Sequence, residues 1–325
     1  MHKEVILVRG KPTIFDAITV DDQVFVMTGK FIRTAKMWEE WFEDVQSPET
    51  IVSTLKSMED PPDLFTFIER PPEFSPRYGY HVEWQQMTAL PIRTYKEWWE
   101  NQISSDTRKK AKRAEKRGVE IRISEFNDDL VRGISSIFNE SRIRQGTPFW
   151  HFGKDFNTVK KEMSLDLERS VFIGAYFEDT LIGIVKLLYS DRVAEPVIIV
   201  SSTAHQNKYL NNALIAKSVE KCAIRGVPYL SYGPYWRRGT MADWLRRNGF
   251  EQLLVPRYYV PLTVKGQVAL HLKLQHGFRR FLPEAVRDLA LQLRTSWYQA
   301  RYRRDNVPTG NCVDRSASSS SFPPV

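Results

Sequence analysis

The sequence predicts a mixed α/β fold, a twisted mixed sheet flanked by helices, with a smaller N-terminal α/β subdomain before it and a basic C-terminal helical extension after it. Three observations lead there. Short β-like runs alternate with helical patterns as far as Leu262. Two of those runs, Val171 to Phe177 and Leu181 to Tyr189, are joined by Glu178-Asp179-Thr180, an acidic turn that suits a hairpin. Later runs are separated by helical stretches that close on glycine, so hairpins stand beside crossovers in one sheet.

In chain order, residues 1–104 form the N-terminal subdomain, with strands at Val5 to Val8, Val24 to Met27 and Leu64 to Ile68 and helical patterns around Ala35 to Phe42 and Thr50 to Ser57. Pro61-Pro62, Pro71-Pro72 and Pro76 mark loops, because proline lacks a backbone donor and fixes φ. Residues 105–118 form a helix that Ser104, Ser105 and Asp106 can cap and that Gly118 ends. Only Ile103, Ala111 and Ala114 give it an apolar side, so it reads as a bridge that also faces an anion. Residues 119–262 carry the regular pattern: strand Val119 to Ile123, helix Leu130 to Ile143, the hairpin, strand Pro196 to Ser202, helix Asn211 to Arg225 closed by Gly226, strand Tyr229 to Tyr232, helix Met241 to Asn248 closed by Gly249, and a strand through Val255 to Val260. Residues 263–304 continue as a basic amphipathic extension, and 305–325, with the serine run Ser318 to Ser321, read as a disordered tail.

A chain of 325 residues with 42% hydrophobic and 12% aromatic content can bury a sizeable core. Its two cysteines, Cys222 and Cys312, lie in unrelated contexts, which argues against a disulfide framework and for a reducing, cytoplasmic setting. No segment approaches the roughly 18 uncharged apolar residues of a membrane span. The net charge of +8 is concentrated: residues 107–118 hold seven Lys or Arg against one acid, and 263–305 hold nine against three. Such segments suit an anionic partner, or are solvated charged faces.

The run Leu245-Arg246-Arg247-Asn248-Gly249-Phe250, following an early hairpin and a strand that ends in a polar loop and helix, resembles the GNAT superfamily of acyltransferases. The stretch Arg108 to Val119 and the helix opening Asn211-Asn212-Ala213-Leu214 are similar to its Fem-type branch, the aminoacyl transferases of peptidoglycan bridges, and to related GNAT-like proteins of glycan-modifying pathways. The resemblance implies a GNAT-like sheet in 119–262, with 1–104 as a reduced GNAT-like half. It also implies a donor site after the fourth strand, where amides at a helix N-terminus hold the pyrophosphate of acyl-coenzyme A. Here that site maps to Val200, Ser201, Lys208, Asn211, Asn212 and Ala213, with Asn in place of the family's first Gly. Asn211 and Asn212 read equally as an ordinary N-cap. The family's frequent Tyr acid is Leu245 here, so Tyr232 and Tyr235 stand as substitutes for the proton donor.

The polar-aromatic loop Arg142 to Lys154 is the expected acceptor wall, with His151 as candidate base and Arg144, Trp150 and Lys154 binding the acceptor; His205 is a second candidate base, and Arg108 and Lys112 are candidate anion contacts. No metal spacing, P-loop or nucleophile elbow is present in the sequence. The expectation is therefore an acyltransferase moving an acyl group from a thioester such as acyl-coenzyme A to an amine or hydroxyl of a small-molecule or glycan-precursor acceptor. A Fem-like transferase using aminoacyl-tRNA is the alternative. A non-catalytic nucleic-acid or membrane-surface binder is the alternative of another class. Residues 263–304 would supply peripheral contact with an anionic membrane, and no stable protein partner is inferred.

Overall fold

A computed structural model describes residues 1–8, 11–38, 40, 43–144, 147–235 and 239–276. In the N-terminal part β1 (His2–Val8), β2 (Lys11–Val20), β3 (Gln23–Thr28) and β4 (Thr34–Met37) run antiparallel, and α1 (Pro48–Lys56) crosses to β5 (Leu64–Ile68), parallel to β4. Next come β6 (His81–Pro91), α2 (Tyr95–Glu97) with a π-helical turn Trp98–Gln102, and α3 (Ser105–Lys116), which leads to β7 (Glu120–Ser124). The helices α4 (Asp128–Asn139) and α5 (Phe156–Met163) flank the two-residue strands β8 (Ile143–Arg144) and β9 (Thr147–Pro148). Then β10 (Ser170–Phe177), β11 (Thr180–Tyr189) and β12 (Val193–Ser201) form a meander, and α6 (Leu210–Arg225) crosses to β13 (Tyr229–Pro234). The chain continues through α7 (Thr240–Arg247), β14 (Glu251–Pro261) and α8 (Val264–His271).

Twelve strands make one sheet in the order β1-β2-β3-β4-β5-β14-β6-β13-β12-β11-β10-β7. Each half is an antiparallel series interrupted by one parallel step that a helix crosses: β4 with β5 over α1, and β12 with β13 over α6. The halves exchange their closing strands. β6 follows β5 in sequence but pairs with β13, whereas β14 follows β13 but pairs with β5, and the two exchanged strands pair with each other at the centre.

Alternation along β10 shows how the second half is covered, since neighbouring residues of a strand point to opposite faces. Ile173 packs with Leu214, Ile215 and Val219 of α6, while Phe172 packs with Ile134 and Phe138 of α4 and Val159 of α5. The bridging helix α3 buries Thr107, Ala111 and Ala114. The Ser104 Oγ accepts from the Thr107 amide at 3.1 Å, and Gly118 takes a positive φ of 76° at the far end. The halves are also joined by charge: Asp44 accepts from Arg70 at 3.1 and 3.2 Å and from Arg192, in the β11–β12 turn, at 2.6 Å.

Several sequence expectations change. Of the helix expected over Ala35 to Phe42, the first part is instead the strand β4, in which Ala35 and Met37 are buried alternately with a strand's period of two, and residues 39, 41 and 42 lie outside the described residues. The strands β2 and β6 and the helix α5 were not anticipated. Of the basic extension, α8 and the short turn Leu274–His276 are described; the rest, from 277, and the tail 305–325 lie outside the described residues. No helix among the described residues is long and apolar enough to cross a membrane.

Candidate active site

The two strands of the second parallel step separate almost at once. Only Val193↔Tyr229 and Ala194↔Leu230 are paired; beyond them β12 stays with β11 and β13 stays with β6. The facing edges of β12 and β13 therefore open into a cleft with unpaired backbone on both sides. A bulge on β12 widens it: Leu187 pairs with Pro196 and Lys186 with Ile198, leaving Val197 out of the ladder and 39% exposed.

At the apex of the cleft stand Glu195, the residue after the last pair on β12, and Tyr232, two residues past it on β13. The Glu195 Oε2 is buried and has no hydrogen-bond partner. Burial pushes its carboxyl up from 4.5 to about 7, since desolvation disfavours the charged form. The Tyr232 phenol is pushed up to about 12, by burial first and by the Glu195 charge second. Its ring packs at 6.1 Å from Trp244 and 5.9 Å from Phe250. Gly233 brings the β13 backbone close: it holds a φ of 72°, and a Cβ there would lie 4.0 Å from Glu195 Oε1.

The sequence-predicted donor residues lie at the far, C-terminal end of β12 and in the turn into α6. Val200 is buried and Ser201 is half-buried at the strand's last turn. The Ser202 Oγ and His205 Nδ1 lie 3.0 Å apart, and the His205 ring is 5.9 Å from Phe177. The N-cap of α6 is Tyr209, in the left-handed region with φ 58°, and no side chain caps the first turn. Asn211 and Asn212 are thus not caps. Both lie inside the first turn, Asn211 exposed and Asn212 buried, with Ala213 packed in the core. Lys208 is engaged elsewhere: its Nζ donates to the Arg117 carbonyl at 3.1 Å and stands 3.4 Å from the Phe177 ring centre. Tyr235 is half-buried just past β13.

The loop between α4 and α5 comes together as expected, but as packing. The His151 ring is buried between Phe138 and Trp150, 4.0 and 3.5 Å away. Burial, reinforced by the charges of Lys154 and Arg144, lowers its pKa to about 3, which weighs against the expected role of His151 as catalytic base. Lys154 is closed off in a buried pair with Glu162 at 2.6 Å, under the half-exposed Trp150 ring. Arg144 donates to the Ser201 and Ile137 carbonyls, both at 2.6 Å, and so fastens this loop to the end of β12.

Arg108 and Lys112 lie away from the cleft. Arg108, expected as an anion contact, donates to the carbonyls of Trp99, Glu100 and Ile103 at 2.8 to 3.0 Å and so holds the π-helical turn. Lys112 is exposed, 5.9 Å above the Trp99 ring, at the rim of a cavity of about 600 Å³ between α3 and α6.

No protein-family model and no curated protein matches this sequence. Solved structures do match. The C-terminal domain of an Agrobacterium fabrum protein assigned as a lysylphosphatidylglycerol synthetase superposes with a TM-score of 0.52 at 8% identity, over 80% of this chain and 88% of that one. L-PGS from Bacillus licheniformis gives 0.50 at 10% identity, over 80% and 87%. FemX gives 0.48 at 7% identity, over 83% and 90%. The fold is GNAT-like. Leu245, which stands where the resemblance in sequence would place a Tyr acid, is buried in the core.

Glu195 is the residue that sequence reasoning missed. The signal was available in Val193-Ala194-Glu195-Pro196-Val197-Ile198-Ile199-Val200, where one carboxylate interrupts an apolar strand.

Proposed function

We propose that the chain is an acyltransferase whose transfer takes place at the apex of the β12/β13 cleft, with Glu195 as proton acceptor. The observation that supports this best is the Glu195 Oε2, buried and without a hydrogen-bond partner, beside unpaired backbone. A structural carboxylate is normally hydrogen-bonded when buried, whereas a general base works best with a pKa near neutrality. The acyl carbonyl lies along the open edge of β12, where an unpaired backbone amide stabilises the oxyanion. The acceptor amine or hydroxyl attacks the carbonyl carbon as its proton passes to Glu195, the bond from carbon to the leaving atom breaks, and the Tyr232 phenol, protonated at neutral pH, supplies a proton to the leaving atom.

Acyl-coenzyme A is the donor we favour, because α6 is the next α-helix after β12 and no side chain caps its first turn, which leaves its N-terminus open to a pyrophosphate. A second reading, aminoacyl-tRNA as donor, is favoured by the engagement of Lys208 with a carbonyl and by the exposed Lys109, Lys112, Arg113 and Lys116 on α3. Transfer assays with radiolabelled acetyl-coenzyme A and with charged tRNA, each with a panel of amine and hydroxyl acceptors, separate the two. Failure of both donors to yield any acylated product, with the cleft intact, refutes the acyltransferase reading.

A further inference from the structure

The helix α8 is built the wrong way round for a soluble surface. Its small residues, Gly266 and Ala269, are buried, while Val264, Val268 and Leu272 at the following turn are 75%, 52% and 54% exposed. Spaced four apart, these three lie on one side of the helix. Its orientation is fixed. A Cβ on Gly266 would collide with the Asp63 carbonyl, the Thr263 Oγ1 caps the Gly266 amide at 3.0 Å while donating to Asp63 at 3.0 Å, and Lys265 pairs with Asp63 at 3.0 Å. The helix therefore cannot turn its larger side chains inward.

We propose that this stripe docks the protein on an anionic lipid surface. From Val264 to His276 the sequence holds Lys265 and Lys273 and no Asp or Glu, and Lys273 is exposed. Apolar side chains on a segment whose own residues include cations and no acid suit the boundary between acyl chains and acidic headgroups, where burial and electrostatic attraction add. A second copy of the chain fits less well, because a two-fold contact would bring the Lys265 and Lys273 of both copies together. This inference does not depend on acyl transfer.

Flotation of the full chain with vesicles tests it. Vesicles of phosphatidylcholine mixed with phosphatidylglycerol should carry the protein, and vesicles of phosphatidylcholine alone should not. Val264→Asp with Val268→Asp should cut the bound fraction about tenfold or more, and Lys273→Gln about fivefold, with melting temperatures unchanged because these side chains are exposed. Wild type that fails to float with the mixed vesicles, an aspartate variant that binds like wild type, or equal binding to neutral vesicles overturns the proposal. So does sedimentation showing a dimer that the same aspartates dissociate.

Discussion

Replacing Glu195 by glutamine should make the protein more stable and less active at the same time. The folded carboxyl titrates at about 7 against 4.5 when unperturbed. Because the folded state favours the neutral form, stability is highest below pH 4.5, falls as pH rises from 4.5 to 7, and stays at its reduced level above 7. A shift of that size corresponds to roughly 3 kcal/mol of penalty for the ionised group. Glutamine has nearly the same shape and carries no charge. Glu195→Gln should therefore raise the melting temperature by several degrees at pH 8 and change it little at pH 4. If Glu195 is the proton acceptor, kcat/KM should fall by about 10² to 10⁴, and the rise of the wild-type rate through pH 7 should vanish. Thermal melts at the two pH values and a pH–rate profile read both effects. Turnover within a few-fold of wild type refutes the catalytic role. A lower melting temperature at pH 8 would show that the carboxylate has a stabilising partner, and the electrostatic reasoning would fail with it.

Other substitutions separate chemistry from packing. Tyr232→Phe keeps the ring against Trp244 and Phe250 and should lower kcat by about tenfold or more with an unchanged fold; rescue by a donor with a more acidic leaving group would confirm proton donation. His151→Ala should cost about 3 kcal/mol of stability, as for other buried aromatic truncations, yet leave the pH profile of turnover unaltered, as read by denaturant melts and rate measurements. Arg108→Ala should cost about 1 to 3 kcal/mol, because three carbonyls of the π-helical turn lose their donor, with no change in donor KM.

What the sequence disclosed was local. The acidic hairpin turn appears with Glu178 and Asp179 both at positive φ, and the glycines at 118, 226 and 249 close helices with positive φ as their positions imply. Burial was harder to read. His151 looks in sequence like a loop histidine ready for proton transfer, but the rings of Phe138 and Trp150 come from residues whose proximity only the fold supplies. The turn into α6 was also hard to read: Asn211 and Asn212 have the chemistry of N-caps, but the residue before the helix is Tyr209, held in the left-handed region at φ 58°. Exchange of β6 and β14 leaves no trace in either strand's own pattern, because pairing partners are a property of the assembled sheet.

That exchange explains why one chain carries two parallel steps and one candidate site. Both steps have an acidic side chain nearby, but the surroundings differ. Beside the last pair of the first step, Lys36↔Thr66, the Glu40 carboxylate receives both Nη atoms of Arg257 at 3.0 and 3.1 Å, and the same guanidinium donates to Thr66 Oγ1 at 3.2 Å and Gln85 at 3.1 Å. Arg257 comes from β14, the strand contributed by the other half. The ion pair is buried, so the Glu40 carboxylate has its counter-charge in place. At the second step the contributed strand is β6, which offers Ala89 and Leu90 opposite Ser231 and Leu230 and brings no cation to Glu195. Two similar strand arrangements thus differ in what the borrowed strand supplies: a guanidinium that quenches the acid in one, and apolar side chains that leave it titratable in the other. Arg257→Met tests the contrast. It should destabilise the fold by about 3 to 5 kcal/mol, the cost of leaving Glu40 buried and unpaired, and Glu40→Gln added to it should recover most of that loss. Absence of recovery in the double variant would mean that Arg257 acts through packing, and the electrostatic account of the first step would be wrong.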